Sequence, residues 1–225
     1  TAMGGAQYVH TFDKCFFMPS DLTAGLEYNR DRLKDNMWGY NRHTDQTVNI
    51  YSAFLQNEWK NDRWGILIGG RLDKHNMVDN VIFSPRANLR FNPTQNINLR
   101  LSYSSGFRAP QAFDEDMHIE NVGGTVAMIE RAKDLKEEKS QSFSVSADMY
   151  HRFGAFQTNL LIEGFYTRLT DVFVLGKPYD RGDGILVKTR SNGPGAKVMG
   201  LTLEGKVAYL SILQIQAGLT LQRSR

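Results

Sequence analysis

Apolar and polar side chains alternate along several long stretches of this chain, and this period of two limits the possible folds more than any other feature. In residues 96–103 every second residue is apolar. The same alternation recurs in residues 142–150, 200–209 and 213–222. Because successive side chains of a β-strand point to opposite faces, the pattern predicts a sheet with one apolar and one polar face.

Turn signals divide the chain into ten candidate strands, most of them near ten residues or longer. The predicted strands are 7–17, 22–32, 47–59, 64–73, 83–92, 96–106, 140–151, 157–175, 198–209 and 213–224. Strands of globular proteins usually have about 5–6 residues, whereas a tilted strand that crosses a bilayer needs about 9–11. The lengths therefore favour a sheet that spans a membrane.

The connections between the predicted strands alternate between short and long. Short turns such as 60–63 and 92–94 separate longer connections, of which three stand out. The three long loops are 33–46, 107–139 and 176–197. Alternate connections of an up-and-down sheet lie at opposite ends, so the pattern is typical of an outer-membrane barrel with short periplasmic turns and long extracellular loops. We expect these long loops to contact a ligand.

Composition and motifs argue against several classes of protein. A net charge of +3 without a long basic run gives no footprint for nucleic-acid binding. Cys15 is the one cysteine, so no disulfide can form within this sequence. No apolar stretch is long enough for a membrane-spanning helix, and the sequence contains no recognisable nucleophile–base pair, phosphate-binding loop or zinc motif. We therefore expect no enzymatic activity and no cofactor.

An acidic cluster that follows one of the predicted strands is the most distinctive polar group in the sequence. Asp114, Asp116 and His118 lie at positions i, i+2 and i+4, which is one face if the segment is extended. Oxygen and imidazole ligands on one face are able to hold a divalent ion, but loop acids are usually only solvated, and no second dense ligand set is visible. We predict no metal site and expect this loop to contact the ligand, with Arg108 and Glu115 contributing.

Several motifs resemble those of TonB-dependent outer-membrane receptors, and they occur in the family's order. Ser84–Phe91 resembles the family strand SPRxNLxY, and Gly106–Pro110 is the GFRAP motif that opens an extracellular loop. The other similar segments are Tyr51–Trp59, Gly65–His75, Asp134–Ser140, Glu163–Phe173 and Ser191–Gly205. Glu137 stands where the family usually has proline, and Thr202 stands where it usually has glutamate. The resemblance is weaker outside residues 51–205.

The resemblance implies a fold, a location and partners. The fold is an antiparallel transmembrane barrel of about 22 strands, of which residues 1–225 would be one partial domain of about ten strands, without the plug. The protein would bind a scarce nutrient (a siderophore, haem, cobalamin or a glycan) and import it with energy from the TonB complex, reached through an N-terminal region. It would lie in the lipid of the outer membrane of a Gram-negative bacterium, and the sequence of residues 106–119 resembles receptors of the Bacteroidetes type. Residues expected to face the plug or the lumen are Arg86, Arg90, Arg100 and Glu138.

Two other classes of protein share part of this pattern. A passive porin or an adhesin barrel has the same alternation but not the ordered series of motifs. A soluble β-sandwich that binds a ligand also alternates, because half-buried antiparallel sheets have one polar face. A plug domain upstream would distinguish a receptor from a porin, and independence from detergent would identify a sandwich.

Overall fold

The molecule is built almost entirely of β-strands. The computed structural model describes residues 1–40, 42–111, 120–122, 125–182 and 184–225. Within these ranges a single 3-10 turn, Trp38–Tyr40, is the one helical element. No helix in the described part of the chain is long and apolar enough to cross a membrane.

Fifteen strands form from the described residues. In chain order they are β1 (Ala2–Cys15), β2 (Met18–Met37), β3 (Arg42–Lys60), β4 (Trp64–His75), β5 (Ile82–Thr94), β6 (Ile97–Arg108), β7 (Glu120–Val122), β8 (Thr125–Arg131), β9 (Glu138–Phe153), β10 (Phe156–Thr170), β11 (Phe173–Leu175), β12 (Tyr179–Asp180), β13 (Leu186–Asn192), β14 (Ala196–Tyr209) and β15 (Leu213–Ser224).

Ten long strands form one antiparallel sheet, which we call the main sheet. Its order is β1-β2-β3-β4-β5-β6-β9-β10-β14-β15, so each strand pairs with the next long strand along the chain. The shortest of these strands have 12 residues and the longest has 20. β1 and β15 are its edges, so the sheet is open. The predicted all-β, antiparallel, partial barrel is confirmed.

The registers of the main sheet bring the predicted apolar side chains together on one face. Leu101 lies opposite Leu89 on β5 and opposite Val145 on β9. The same row continues to Leu201 on β14 and Leu221 on β15. Leu101 is 51% exposed and Val145 is 58% exposed. A continuous apolar face this large is unfavourable in water and suits the hydrocarbon of a membrane.

Aromatic side chains border the apolar face at both ends. At the end with short turns, the rings of Phe153 and Phe156 have centroids 5.9 Å apart. At the other end, Tyr103 and Phe143 are 4.7 Å apart, and Tyr166 lies opposite Phe143. From Phe156 to Tyr166 the strand rises by ~33 Å, or ~25 Å across the membrane at a tilt of ~40°. This spacing matches the apolar band of a transmembrane barrel.

The prediction of one strand over residues 157–175 is wrong at its C-terminal end. β10 ends at Thr170, and Asp171 has a left-handed backbone with φ of 54°. The residues after it form β11, which belongs to a different sheet. Neither Gly nor Pro marks the break, and residues 172–175 are all apolar, so the sequence pattern alone does not reveal it.

The prediction of a long loop over residues 33–46 is also wrong. β2 and β3 stay paired as far as Met37 and Arg42, and the connection is only residues 38–41. Arg32 bonds Asp45 across the hairpin, with Nη2 and Oδ2 2.7 Å apart. The sequence analysis predicted a loop here because the apolar alternation stops. Backbone hydrogen bonds nevertheless extend the hairpin into water, where no apolar face is needed.

A second sheet forms from β11 and from segments that the sequence analysis assigned to the long loops 107–139 and 176–197. Its order is β11-β13-β8-β7, with β12 also paired to β13. β8 and β13 are parallel, and Val187 and Met128 on these strands are 0% and 3% exposed. We call these five strands the mouth sheet. The sequence analysis did not predict it.

Candidate functional site

The predicted ligand-binding loop lies mostly outside the described residues, including Asp114, Glu115, Asp116 and His118. Their contact with a ligand therefore stays a prediction. In the part of the chain that the structure describes, no group of three or more His, Cys, Asp and Glu side chains is arranged to hold a metal ion.

Arg108 and Glu138 meet at the end of the main sheet, where both contact the start of the mouth sheet. They lie directly opposite each other on β6 and β9. The Arg108 guanidinium carbon is 5.7 Å from the ring centroid of Phe173. The backbone N–H of Phe173 donates to the Glu138 carboxylate at 2.9 Å. Both side chains therefore anchor β11, and a role for either in ligand or plug contact stays a prediction.

The arginines predicted to face the lumen share the polar face of the main sheet. Arg90 lies directly opposite Arg100, and Arg86 lies opposite Ser104. Arg90 donates through Nη2 to the backbone oxygen of Asn61 at 3.2 Å, which ties it to the β3–β4 turn. Arg86 and Arg100 are exposed. The structure thus brings the three arginines onto one face, whereas their contact with a plug is untested.

The sequence analysis missed a network of charged and polar side chains on the polar face. Arg71 bonds Glu27 through Nη1 at 2.7 Å and Asp73 through Nε at 2.8 Å. Its Nη2 donates to Ser52 Oγ at 2.8 Å, and Ser52 donates to Asp73 at 2.6 Å. Glu27, Ser52 and Asp73 are aligned in one row across three strands. The motif GGRLDKH contains Arg71 and Asp73. Glu27 lies far from this motif in the sequence, so no local pattern predicted the network.

A recess of about 510 Å³ lies against this network on the main sheet. Its polar lining includes Thr23, Glu27, Gln56, Arg71, Ser84, Arg86 and Ser104. Hydroxyl, amide and both signs of charge occur together here, so the recess suits water or a polar ligand rather than hydrocarbon. Arg86 is thus a predicted lumen residue that lines this recess.

The mouth sheet is fixed to the polar face by hydrogen bonds. Arg131 at the end of β8 donates through Nη1 to Gln46 Oε1 on β3 at 2.9 Å and to the backbone oxygen of Pro110 at 3.0 Å. Gln46 is only 9% exposed. Asn192 at the end of β13 donates to the backbone oxygens of Lys136 and Asp171 at 3.0 and 2.7 Å. These contacts hold the mouth sheet at the end of the main sheet that carries the long connections.

His75 closes the same end of the polar face. Its side chain is fully buried. Its Nδ1 accepts the backbone N–H of Met77 at 3.0 Å, so Nε2 carries the proton and donates to Gln111 Oε1 at 3.4 Å. A neutral imidazole in this tautomer links the segments that follow β4 and β6, and this is a structural role.

Comparison with known proteins identifies the family. The model of the family described as TonB dependent receptor-like, beta-barrel matches residues 4–225. The chain belongs to the TonB-dependent receptor β-barrel family. The match includes the flanks outside residues 51–205, where the motif resemblance is weak, and it confirms the family predicted from the motifs.

Known relatives of this TonB-dependent receptor chain are much longer than the chain itself. A probable haemoglobin and haemoglobin-haptoglobin-binding protein 3 of Haemophilus influenzae is 23% identical over 206 residues, which is 89% of this chain and 18% of that protein. The siderophore receptor PirA of Pseudomonas aeruginosa has a TM-score of 0.83 and 16% identity, covering 99% of this chain and 42% of PirA. The FrpB iron transporter of Neisseria meningitidis has a TM-score of 0.68 and 16% identity, covering 99% and 36%.

Family membership indicates which environment each face of the main sheet contacts. TonB-dependent receptor barrels are outer-membrane proteins, so the predicted location is confirmed. The apolar face with its two aromatic borders is the lipid-facing side, and the polar face is the lumen side. A soluble β-sandwich is contradicted by the single ten-stranded sheet and its structural relatives. A Bacteroidetes-type source stays a prediction.

Proposed function

We propose that this chain is the ligand-facing part of an outer-membrane receptor that binds a scarce nutrient and imports it with energy from the TonB complex. The observation that carries the proposal is the family match over residues 4–225. The polar recess and the mouth sheet agree with it, because a ligand that enters from the long-connection end meets polar groups first.

The first ligand class to test is iron bound in a siderophore or haem. Relatives of this chain are named as a siderophore receptor, an iron transporter and a haemoglobin-binding protein. Cobalamin and glycans remain in the proposal as further classes. The charged groups on the polar face carry both signs, as in the Arg71 network, and so do not by themselves select one ligand.

Growth of a deletion strain tests the proposal. The gene is deleted and growth is measured with a ferric siderophore, haem, cobalamin or a glycan as the limiting nutrient, with the full-length gene restored as control. We expect growth to fail on one iron source and to be restored by the gene. A strain that lacks TonB should show the same failure.

Two outcomes would contradict the proposal. Equal growth of deletion and restored strains on every source would exclude nutrient import as the function. Gene-dependent uptake that persists without TonB would instead indicate a passive porin, which is the main alternative.

The role of the acidic loop needs its own variants. Replacing Asp114 and Asp116 together with asparagine should weaken ligand binding about tenfold or more, because a charge-assisted hydrogen bond contributes about 1.5–3 kcal/mol. The matched control replaces Asp13 and Asp62 with asparagine, which removes the same charge from the end with short turns. Normal uptake by the loop variant would exclude this loop as the site and leave the receptor function intact.

A further inference from the structure

His75 is the one fully buried imidazole in the described part of the chain, and it lies outside the lipid span. Lys74, the residue before it, is directly opposite Tyr51 on β3. The rings of Tyr51 and Tyr28 have centroids 4.9 Å apart and continue the aromatic border at the long-connection end. His75 is one residue further from the membrane, so the aqueous medium at that end determines its protonation.

The imidazole accepts one hydrogen bond and donates another, and this arrangement requires it to be neutral. Nδ1 accepts from the backbone N–H of Met77 at 3.0 Å, and Nε2 donates to Gln111 Oε1 at 3.4 Å. A proton added to Nδ1 replaces the acceptor with a donor that faces the Met77 N–H. The same proton creates a charge in a fully buried site, which is costly without a paired anion.

The acid closest to His75 along β4 is Asp73, which already has other partners. Its carboxylate accepts hydrogen bonds from Arg71 Nε at 2.8 Å and from Ser52 Oγ at 2.6 Å. The other charged residues in or beside the adjoining described elements are Lys74, Asp79, Arg108, Arg131 and Arg190. All but Asp79 are cations, and Asp79 is exposed to water, so this set does not offset a positive charge on the imidazole.

The requirement for a neutral imidazole makes this site sensitive to acid. Burial lowers the pKa of His75, and the contacts with Gln111 and Asp73 oppose this only in part. The closed site therefore binds a proton more weakly than an opened one. Its stability is fully present above the ordinary histidine pKa of ~6.5 and is lost progressively as the pH falls below that value.

The segments after β4 and β6 also carry an attachment of the mouth sheet. A small buried cluster of Val78, Ile82 and Ala109 packs one segment against the other. Next to this cluster, the backbone oxygen of Pro110 accepts a hydrogen bond from Arg131 Nη1 at 3.0 Å. Arg131 is the last residue of β8, so a shift of the segment after β6 is transmitted to the mouth sheet.

We propose that His75 is an acid-sensitive latch for the mouth sheet. As the pH falls below ~6.5, protonation of the imidazole breaks its contact with Met77 and separates the segments after β4 and β6. The attachment through Arg131 then loosens, and the mouth sheet becomes more mobile. The latch does not depend on which nutrient the protein binds, so it goes beyond the proposed transport function.

Hydrogen–deuterium exchange of the purified full-length protein in detergent tests the latch. Backbone exchange of residues 76–82 and 125–131 is compared at about pH 7.5 and about pH 5.5, after correction for the intrinsic effect of pH on exchange. Exchange in both segments should rise about tenfold for one pH unit below ~6.5, because one unit of pKa difference between closed and open states is a factor of ten. Residues 97–104 of β6 should not respond.

Replacing His75 with asparagine gives a variant that does not titrate. The asparagine Oδ1 accepts from Met77 in place of Nδ1, and the amide gains no proton in this range of pH. Corrected exchange in residues 76–82 and 125–131 should then be equal at both pH values. The matched control replaces His43, an exposed histidine of the β2–β3 hairpin, with asparagine and should keep the full response to acid.

A measurement on the unsubstituted protein keeps the proposal testable if the asparagine variant does not fold. Deuterium exchange at the imidazole C2 position, followed by mass spectrometry over a range of pH, gives the pH at which His75 is half protonated. We expect that pH to lie below the ordinary histidine value of ~6.5.

Three results would overturn the proposal. They are an equal response to acid in the His75→Asn variant, half protonation of His75 at or above pH ~6.5, and exchange that rises in residues 76–82 but not in residues 125–131. The last result would show that the site opens locally without moving the mouth sheet. None of them bears on nutrient import, which the growth experiment measures separately.

Discussion

At the scale of single residues, the Arg71 network shows how neighbouring side chains stabilise a buried carboxylate. The Asp73 side chain is 4% exposed, and it accepts hydrogen bonds from Arg71 and Ser52. A buried carboxylate is costly unless it is paired with a cation. Glu27 bonds the same guanidinium but is 45% exposed, so water solvates it in any case.

Two variants separate these contributions. Replacing Arg71 with methionine should lower the stability of the full-length barrel by about 1–3 kcal/mol, because Asp73 is left buried with one partner fewer. Replacing Glu27 with glutamine should cost about 0–1 kcal/mol, as for an exposed ion pair. Denaturant unfolding in detergent, followed by tryptophan fluorescence, measures both. An equal effect of the two variants would contradict the network described above.

The sequence pointed to some of these residues and missed others for a physical reason. The alternation places Arg86, Arg90 and Arg100 on the polar face, because a period of two is a local property of the chain. The pairing of Arg71 with Glu27 depends on the register of β2, β3 and β4, which no local pattern specifies. The same holds for Arg108 and Phe173, which meet across two sheets.

At the scale of strands, the close packing around β14 requires glycine at position 200. A Cβ added to Gly200 would lie 2.5 Å from the Phe165 ring on β10 and 2.7 Å from the backbone oxygen of Leu221 on β15. Phe165 is an apolar side chain on the polar face, and it covers the bare backbone of Gly200 opposite it. Gly205 on the same strand has open space around that position.

The two glycines give a matched pair of variants. Replacing Gly200 with alanine should destabilise the barrel by about 1–3 kcal/mol, because a backbone atom has to move. Replacing Gly205 with alanine should be neutral or stabilise it by up to about 1 kcal/mol, because alanine restricts the unfolded chain. Unfolding midpoints in detergent measure the difference. A cost at Gly205 as large as that at Gly200 would show that the close approach of Phe165 and Leu221 to residue 200 is not the cause.

The predicted strands match the structure where one face contacts the membrane and apolar alternation is required. Strands outside the membrane, where alternation is not required, were missed. Alternation and turn signals together predict the ten long strands, because one face meets lipid along the full span. The extension of β2 and β3 beyond Tyr28 and Tyr51 lies past the aromatic border, where no apolar face is required. The mouth sheet was missed because β8 and β13 are seven-residue strands that pair in parallel across some 60 residues of sequence.

At the scale of the whole molecule, the sheet separates two environments. One face presents apolar rows between aromatic borders, and the other presents the Arg71 network, the recess and the contacts to the mouth sheet. The mouth sheet lies at the long-connection end, so the proposed receptor function would place ligand entry there. Under this proposal, lipid contact and nutrient transport would belong to opposite faces of the same ten strands.

Spin-label accessibility along β6 in the full-length protein, reconstituted in lipid, tests this assignment most directly. With Cys15 replaced by serine, labels are placed one at a time at positions 99 to 104. Labels at Leu99, Leu101 and Tyr103 should collide mainly with oxygen dissolved in the lipid, and labels at Arg100, Ser102 and Ser104 mainly with a water-soluble nickel chelate. A period of two in these accessibilities is the result that we expect. Equal accessibility of all six positions to the nickel chelate would contradict a membrane-spanning sheet with a lumen on its polar face.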